Sequence, residues 1–254
     1  EQIIPVHMDT NDDHFVVMKN ELILGEGKSR GKNVSGLSLN AIKLLRLTIM
    51  QCAKSDIGFK PYKISVKELS QLLKIDSSNL YKDIQDICVN LLGEIVLVGD
   101  GNPKHKWKAF QWVTKCEYDG NGVITIQLHN DMKPYILGLK SNYTQYEING
   151  ILDLKSTYAI RMYELIKMEL KNFKVYADRK KTIYLSSETI RKATGTTNKY
   201  RKANDLKKRV IDIACNEINK QPFGIRVTYD YVKESRTIVG YNFTVKTSLA
   251  DVVL

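Results

Sequence analysis

The chain has little of the two residue types that most often hold metals or cross-link small secreted domains, with 4 cysteines and 4 histidines among 254 residues. The cysteines are widely spaced, and no pair has the two-residue separation of a zinc knuckle or a redox motif. They are Cys52, Cys88, Cys116 and Cys215. We therefore expect reduced thiols that serve in packing, no metal, no cofactor and a cytoplasmic location.

Long apolar runs are also missing. No stretch approaches the length of a membrane span, so we expect no membrane contact. The first residues, which include Asp9, Asp12 and Asp13, lack the basic and then apolar pattern of a signal peptide. These absences favour a soluble protein.

Two arrangements that would indicate catalysis are incomplete. Tyrosine nickases hold their metal with two closely spaced histidines, whereas the histidines here are far apart in the sequence. The segment 25–29 (GEGKS) ends like a phosphate-binding loop, yet Leu22 stands where that motif needs its first glycine. We therefore expect no catalytic residue and no enzymatic activity.

What the chain does have is positive charge, with 39 Lys and Arg against 28 Asp and Glu and a formal net charge of +11. Such an excess is typical of proteins that bind a polyanion, but a merely soluble basic protein would show it as well. The placement of the charge has to distinguish these two interpretations.

Hydrophobic periodicity predicts a series of elements in the first half of the chain. Apolar residues at steps of three and four indicate helices with one buried face, and the polar cluster at 76–79 offers an N-cap. The predicted elements are a helix at 39–52, a strand at 63–66, a helix at 66–73, a helix from the polar cluster to Leu92, and hairpin strands at 95–98, 107–113 and 123–128.

The same order recurs from residue 153. The predicted elements are a long helix at 154–173, a strand at 182–185, a short helix capped by Ser186 and ended by Gly195, a helix at 202–219, and strands at 225–231 and 238–245 around a polar turn at 233–236.

Helix, strand, two helices and a β-hairpin follow one another in a winged helix, whose last helix enters the major groove of DNA. The sequence therefore predicts an α+β protein with two tandem winged-helix domains related by internal duplication. We expect an N-terminal segment and flexible linker at 1–36, a first domain at 37–143 and a second at 144–254. An unrelated α+β fold with a similar element order is the alternative.

Several segments resemble the replication initiators of iteron-containing plasmids, a family with two duplicated winged helices. VVMKNELI at 16–23 and LNAIKLL at 39–45 are similar to the opening and first helix of that family. The more specific matches are TYAIRMYEL at 157–165 and LKKRVIDIA at 206–214, which resemble the first and the recognition helices of its second domain. The Gly-rich stretch at 25–36 departs from the family's compact opening.

The resemblance implies binding to repeated sites in the double-stranded DNA of a plasmid origin. It also implies duplex opening, recruitment of the host replication initiator and the replicative helicase, and homodimers that repress their own promoter. The second domain would be the main DNA-binding domain, and the first would carry the dimer surface and an auxiliary DNA contact.

The start of the second recognition helix concentrates cations, with a single acid, Asp205, among them. The predicted DNA-binding residues there are Lys199, Arg201, Lys202, Asn204, Lys207, Lys208 and Arg209. We expect Arg201 and Asn204 to contact bases, because Arg and Asn side chains read base edges in the major groove. Alternatively, Arg201 and Arg209 form surface ion pairs with Asp205, four residues away.

Three further groups are candidates for DNA contact. The first recognition helix begins with Ser78, Asn79, Tyr81 and Lys82, which could equally be capping or solvent-facing residues. A basic hairpin tip with Lys104, His105, Lys106 and Lys108 would act as the wing of the first domain, unless it is only a solvated turn. In the second hairpin the turn contributes Lys233 and Arg236.

Two other functions remain open on the sequence alone. A two-domain winged-helix transcription regulator would have the same fold without a role in replication. A dimeric regulator should prefer one inverted repeat that matches its two-fold symmetry, whereas an initiator should bind several direct repeats. A DNA-modifying enzyme would instead cleave DNA strands with the help of a metal.

Overall fold

A computed structural model of the chain describes residues 14–24, 36–53, 55–76, 78–99, 102–171, 180–222 and 224–247. The segment 25–29 and almost all of the predicted linker lie outside the described residues, as does Ser77 of the polar cluster. The chain forms two compact units. Unit 1 comprises 1–22 and 27–148, and unit 2 comprises 23–26 and 149–254.

The elements up to residue 148 follow the predicted order with several additions. They are β1 (Phe15–Lys19), α1 (Asn20–Leu24), α2 (Leu39–Met50), β2 (Tyr62–Ser65), α3 (Val66–Leu73), α4 (Leu80–Gly93), β3 (Ile95–Val98), β4 (Lys108–Gln111), β5 (Val113–Tyr118), β6 (Val123–Leu128), a 3₁₀ turn (Asn130–Met132), α5 (Lys133–Ile136) and β7 (Tyr143–Glu147).

Local signals place the helices of unit 1. The Ser38 hydroxyl accepts a hydrogen bond from the Ala41 amide and so begins α2, and Ser65 does the same for α3 through the amide of Glu68. Every residue from 41 to 49 is buried, so α2 is surrounded by protein on all sides and forms the centre of the unit.

The wing of unit 1 is the hairpin β5–β6. These strands form a three-stranded antiparallel sheet in the order β2-β6-β5, and the turn between them contains Gly120 and Gly122 at positive φ. The single strand predicted at 107–113 is wrong, because the chain bends at the buried Trp112 and divides this region between β4 and β5. β4 pairs with β3 in a separate two-stranded ribbon.

A further pair of strands lies outside the winged-helix pattern. β1 pairs antiparallel with β7, so that Val17 lies opposite Gln145. No strand is predicted from the sequence at either position. Because β7 is tied to β1, unit 1 extends to Ile148, a few residues beyond the predicted domain boundary at 143.

Unit 2 repeats the plan of unit 1. Its elements are α6 (Asn149–Leu152), α7 (Thr157–Leu170), β8 (Lys180–Ser186), α8 (Ser187–Thr194), α9 (Ala203–Leu206), a π-helical turn (Lys207–Ile211), α10 (Asp212–Lys220), β9 (Ile225–Glu234) and β10 (Thr237–Thr247). Its sheet has the order β8-β10-β9, which is the arrangement of β2-β6-β5 in unit 1. The shared topology is what an internal duplication predicts.

Capping residues determine where the helices α7 and α8 of unit 2 begin and end. α7 begins at Thr157, three residues later than predicted, because Ser156 caps it by accepting from the Tyr158 amide. The predicted end at 173 lies outside the described residues. α8 is confirmed as a helix capped by Ser186 and ended by Gly195, which has a φ of 66°.

The helix predicted at 202–219 runs from Ala203 to Lys220, and we call these residues the recognition helix of unit 2. Lys202 occupies its N-cap position. The π-helical turn at Lys207–Ile211 interrupts its α-helical hydrogen bonding, which the sequence pattern did not indicate.

Candidate nucleic-acid interface

The exposed face of the recognition helix of unit 2 carries most of the predicted DNA-binding residues. At its N-terminal end the exposed side chains are Lys199, Arg201, Lys202, Asn204, Lys208 and Arg209. The buried residues Leu206, Val210, Ala214 and Ile218 hold the opposite face against the core. Five predicted cations and Asn204 therefore share one accessible end of the helix.

This end of the helix is electropositive for two reasons. The free N–H groups of a first helical turn attract anions, and the cations add full charges around them. Among the described residues, neither Arg201 nor Arg209 forms an ion pair with Asp205. The guanidinium carbon of Arg209 instead lies 5.7 Å from the centre of the Tyr200 ring.

Arg191, which sequence reasoning missed, fixes the turn that precedes the recognition helix. Its Nη1 donates to the carbonyl oxygen of Lys199 at 2.8 Å, and its Nη2 donates to those of Tyr200 at 2.7 Å and Arg201 at 3.1 Å. Hydrogen bonds from a charged donor are stronger than neutral ones. Arg191 thus determines where the backbone of Arg201 lies. The sequence indicates only that Arg191 is a basic residue in the last turn of α8.

Tyr200 also helps to hold the turn that precedes the recognition helix. It adopts a φ of 52°, a conformation that a tyrosine rarely takes without support from its surroundings. Its hydroxyl lies 3.4 Å from the hydroxyl of Tyr158, and the two rings meet edge to face at 6.2 Å. Burial and the hydrogen bond with Tyr200 raise the pKa of Tyr158 to about 12, so the Tyr158 phenol stays protonated.

Lys207 has a partner within the protein. Its Nζ donates to Asp212 Oδ2 at 2.9 Å, the carboxylate also accepts a hydrogen bond from the Tyr229 hydroxyl, and the ammonium lies 5.9 Å from the Tyr229 ring centre. Burial raises the pKa of Asp212, but the hydrogen bonds from Tyr229 and Lys207 outweigh it and hold the pKa below its usual value. Lys207 therefore supports the helix as well as adding charge.

The hairpin β9–β10 forms the wing of unit 2. Lys233 and Glu234 belong to β9, so the turn is tighter than the predicted one and consists of Ser235 and Arg236. Lys233 and Arg236 are both exposed, and the Lys233 ammonium lies 5.0 Å from the ring centre of Tyr231. Both predicted residues thus lie at the tip of a wing.

The corresponding helix of unit 1, α4, offers much less charge. The four predicted residues Ser78, Asn79, Tyr81 and Lys82 are exposed at its start. Asn79 is the N-cap residue, but its side chain makes no capping hydrogen bond. Lys82 is offset on the same exposed surface by Asp86. The face is therefore polar and close to neutral.

The basic loop of unit 1 is exposed but is not the wing. Lys104, His105, Lys106 and Lys108 lie between β3 and β4 or at the start of β4, in the separate two-stranded ribbon. The prediction that they form the wing is wrong, because β5 and β6 supply the hairpin of the three-stranded sheet.

The described residues add three observations on chemistry. They contain no group of three or more His, Cys, Asp or Glu side chains that could hold a metal ion. The four cysteines are free, and burial raises the pKa of Cys52 to about 11 and that of Cys215 to about 12, which makes both thiols poor nucleophiles. None of the described helices has the length and apolarity needed to cross a lipid bilayer.

Family models match most of the chain. One that describes the first winged helix (WH1) of an initiator replication protein matches residues 15–167, and one for the second winged helix (WH2) of an initiator Rep protein matches residues 186–245. The predicted α+β fold with two tandem winged-helix domains is confirmed by these matches.

Solved structures and curated proteins give further similarities. The Pi initiator protein, crystallised in complex with iteron DNA, has a TM-score of 0.75 at 20% identity, over 94% of this chain and 99% of that chain. An uncharacterised 27.6 kDa protein from Escherichia coli is 24% identical over 140 residues, which are 50% of this chain and 59% of that protein's length. Domains 2 and 3 of RctB have a TM-score of 0.46 at 10% identity, over 82% of this chain and 80% of that chain.

Proposed function

Because the chain belongs to the family of initiator replication proteins with two winged-helix domains, we propose that it binds repeated sites in the double-stranded DNA of a plasmid origin and initiates replication there. The Pi initiator protein, whose fold this chain shares over 94% of its length, was crystallised with iteron DNA. This similarity supports direct repeats as the target.

The exposed basic end of the recognition helix of unit 2 carries the proposal. Its cations and its free N–H groups suit phosphates, and the side chains of Arg201 and Asn204 are accessible for base edges. Arg191 supports the same role, since it fixes the backbone from Lys199 to Arg201. In this proposal unit 2 is the main DNA-binding unit.

Unit 1 makes the weaker of two DNA contacts. The nearly neutral start of α4, with Ser78, Asn79, Tyr81 and Lys82, would add contacts without strong attraction to phosphate. Two modest interfaces on one chain combine through effective concentration, so a weak contact by unit 1 still raises the affinity of the whole protein.

The partners and the setting are part of the same proposal. We expect the protein to work in the cytoplasm, to recruit the host replication initiator and the replicative helicase, and to form homodimers that repress its own promoter. We expect no strand cleavage, since binding energy alone performs this work. Incubation with supercoiled origin plasmid and Mg²⁺ or Mn²⁺ tests this point, because the appearance of nicked product would contradict it.

The decisive experiment is a titration of the purified protein against direct-repeat DNA from its own replicon and against shuffled DNA of equal length, at near-physiological salt. Stepwise occupancy of the repeats, about a thousandfold tighter than on shuffled DNA, is the expected result. Equal, weak and salt-sensitive binding to both would contradict the proposal, because it would reduce the basic charge to a non-specific attraction.

The same titration separates the initiator from a transcription regulator. A single inverted repeat of the target is the control DNA, because a two-fold symmetric dimer prefers inverted half-sites. Preference for the inverted repeat over the direct repeats would favour the regulator. The family match favours the initiator.

A further inference from the structure

The two tryptophans of the chain lie in very different surroundings. Trp112 is 6% exposed, whereas Trp107 is 55% exposed at the open end of the ribbon β3–β4. Large aromatic side chains normally bury most of their surface, so an indole that leaves more than half of it in water is a candidate for a contact with a ligand.

The ribbon holds Trp107 in this position. A Cβ atom on Gly99 would lie 3.1 Å from the Cβ of Trp107 and 3.3 Å from the carbonyl oxygen of Lys106, so the two chain segments approach each other closely there. The loop beyond is folded as well, since the His105 amide donates to the carbonyl of Asn102 at 3.0 Å. The indole therefore projects from a supported backbone.

Exposed cations flank Trp107 in the sequence. Lys104, Lys106 and Lys108 are all exposed, and after Asp100 the sequence has no Asp or Glu before Glu117. A patch with several ammonium groups and an exposed aromatic ring has the chemistry of a nucleic-acid contact, in which lysines meet phosphates and the ring meets a base.

The exposed indole of Trp107 favours a single-stranded ligand over a duplex. In duplex DNA the faces of the bases are covered by their neighbours, so an indole on a ribbon cannot stack on them without unstacking the helix. Unpaired bases expose both faces, and stacking on them depends little on sequence. The combination of Trp107 and lysines thus fits single-stranded DNA better than duplex DNA.

We propose that Trp107, with Lys104 and Lys106, forms a binding site for single-stranded DNA on unit 1, in which the indole stacks on an unpaired base and the lysines contact the flanking phosphates. This site goes beyond the proposed duplex contacts, which involve the recognition helix of unit 2 and the start of α4 in unit 1. It gives the protein a way to hold a strand after the duplex has opened.

Tryptophan emission tests the proposal directly, because the chain has only these two tryptophans. Titration of the full chain with an unlabelled oligothymidine of about 20 nucleotides should quench the emission of Trp107. In Trp107→Phe, where the buried Trp112 alone remains, the oligothymidine should leave the emission unchanged. Quenching of equal size in both proteins would overturn the assignment to Trp107.

Affinity provides the second readout, from the anisotropy of a labelled oligothymidine. Trp107→Ala should weaken its binding about five- to a hundredfold, which is the range for the loss of one stacked base. The double variant Lys104→Ala/Lys106→Ala should make the salt dependence shallower by about 1.4 in the log–log slope, since each phosphate contact on a single strand contributes about 0.7. Ile57→Ala, which removes a fully exposed apolar side chain of the same unit, is the matched control and should bind as the unmodified protein does.

Binding to duplex repeats is measured in parallel with the same proteins. Trp107→Ala should keep its affinity for the repeats, which shows that the variant is folded and separates this site from the duplex interface. If Trp107→Ala binds oligothymidine as tightly as the unmodified chain, the proposal is wrong whatever the repeats show. If the repeats are not recognised but oligothymidine binding still depends on Trp107, the proposed function fails and this site stands.

Discussion

The guanidinium Nη2 of Arg191 donates a 2.7 Å hydrogen bond to the carbonyl oxygen of Tyr200, one residue before Arg201. This bond joins the end of α8 to the turn that leads into the recognition helix of unit 2. A residue that touches no DNA in our proposal therefore sets the position of one that does.

Replacement of Arg191 should reduce specificity. Arg191→Ala removes three hydrogen bonds to backbone carbonyls. Each hydrogen bond to a charged group contributes about 1.5–3 kcal/mol. Because the loss of even one such bond corresponds to about a tenfold change, we expect the preference for repeat DNA over shuffled DNA to fall at least about tenfold. Competitive binding assays with both DNAs measure this ratio.

Two variants control for charge and geometry. Lys192→Ala removes the neighbouring cation, which pairs with Glu188 at 2.7 Å, and should leave the ratio unchanged. Arg191→Lys keeps the charge but cannot span the same carbonyls, so it should resemble Arg191→Ala. A full rescue by lysine would show that only the charge at this position matters.

At the basic end of the recognition helix we expect some residues to contact bases and others to contact only phosphates. Arg201→Ala should weaken binding to the repeats by about 1 to 3 kcal/mol and relax base preference, whereas Lys208→Ala should weaken all duplex binding and lower the salt slope by about one. Lys208 is a cleaner test of phosphate contact than Lys207, because Lys207 is paired with Asp212. Salt titrations on target and random DNA measure both effects, and equal losses on the two DNAs for Arg201→Ala would contradict its role in base reading.

The Asp212 network should make stability depend on pH. The pKa of Asp212 is lower in the folded protein than its usual value, so its contribution is fully present above the unfolded pKa of about 3.9 and is lost as the pH falls through the folded pKa. Asp212→Asn should therefore lower the melting temperature at pH 6, and its difference from the unmodified protein should shrink below about pH 4.

Thermal melts at a series of pH values measure this difference. Asp230→Asn, which removes an exposed carboxylate of β9 outside the network, is the control variant. A constant difference between Asp212→Asn and the unmodified protein from pH 6 to pH 3 would mean that the carboxylate charge is not what stabilises the turn.

Gly195 should be sensitive to substitution for a conformational reason. It ends α8 with a φ of 66°, in open space, so Gly195→Ala introduces backbone strain without a steric clash and should reduce the free energy of unfolding by about 1 kcal/mol. Gly93→Ala, at a position equally open but without a positive φ, should be nearly neutral. Urea denaturation compares the two, and equal stability of both variants would contradict this explanation.

The parts of the fold that could be predicted depend on residues close together in the sequence. α3 was predicted residue for residue and α8 from its caps, because a serine before a helix and a glycine after it act over a single turn. The cations at the start of the recognition helix could be predicted for the same reason, since they all lie between residues 199 and 209 of the sequence.

The features that were missed are formed by distant residues. β7 becomes a strand through its pairing with β1, which is more than a hundred residues away, and the division of β4 from β5 depends on the burial of Trp112. The π-helical turn accommodates the contact between Lys207 and Asp212, five residues apart. Arg191 acts by donating hydrogen bonds to backbone carbonyl groups, and the amino-acid sequence does not show which carbonyl groups come within its reach.

The repetition of one sheet order in units 1 and 2 has a consequence for engineering. Each copy is stabilised by its buried faces, while the exposed residues at the start of α4 carry little of the folding energy. Unit 1 is thus a scaffold on which the exposed residues at the start of α4 can be replaced, for instance by the basic residues of unit 2, while unit 2 itself stays unchanged.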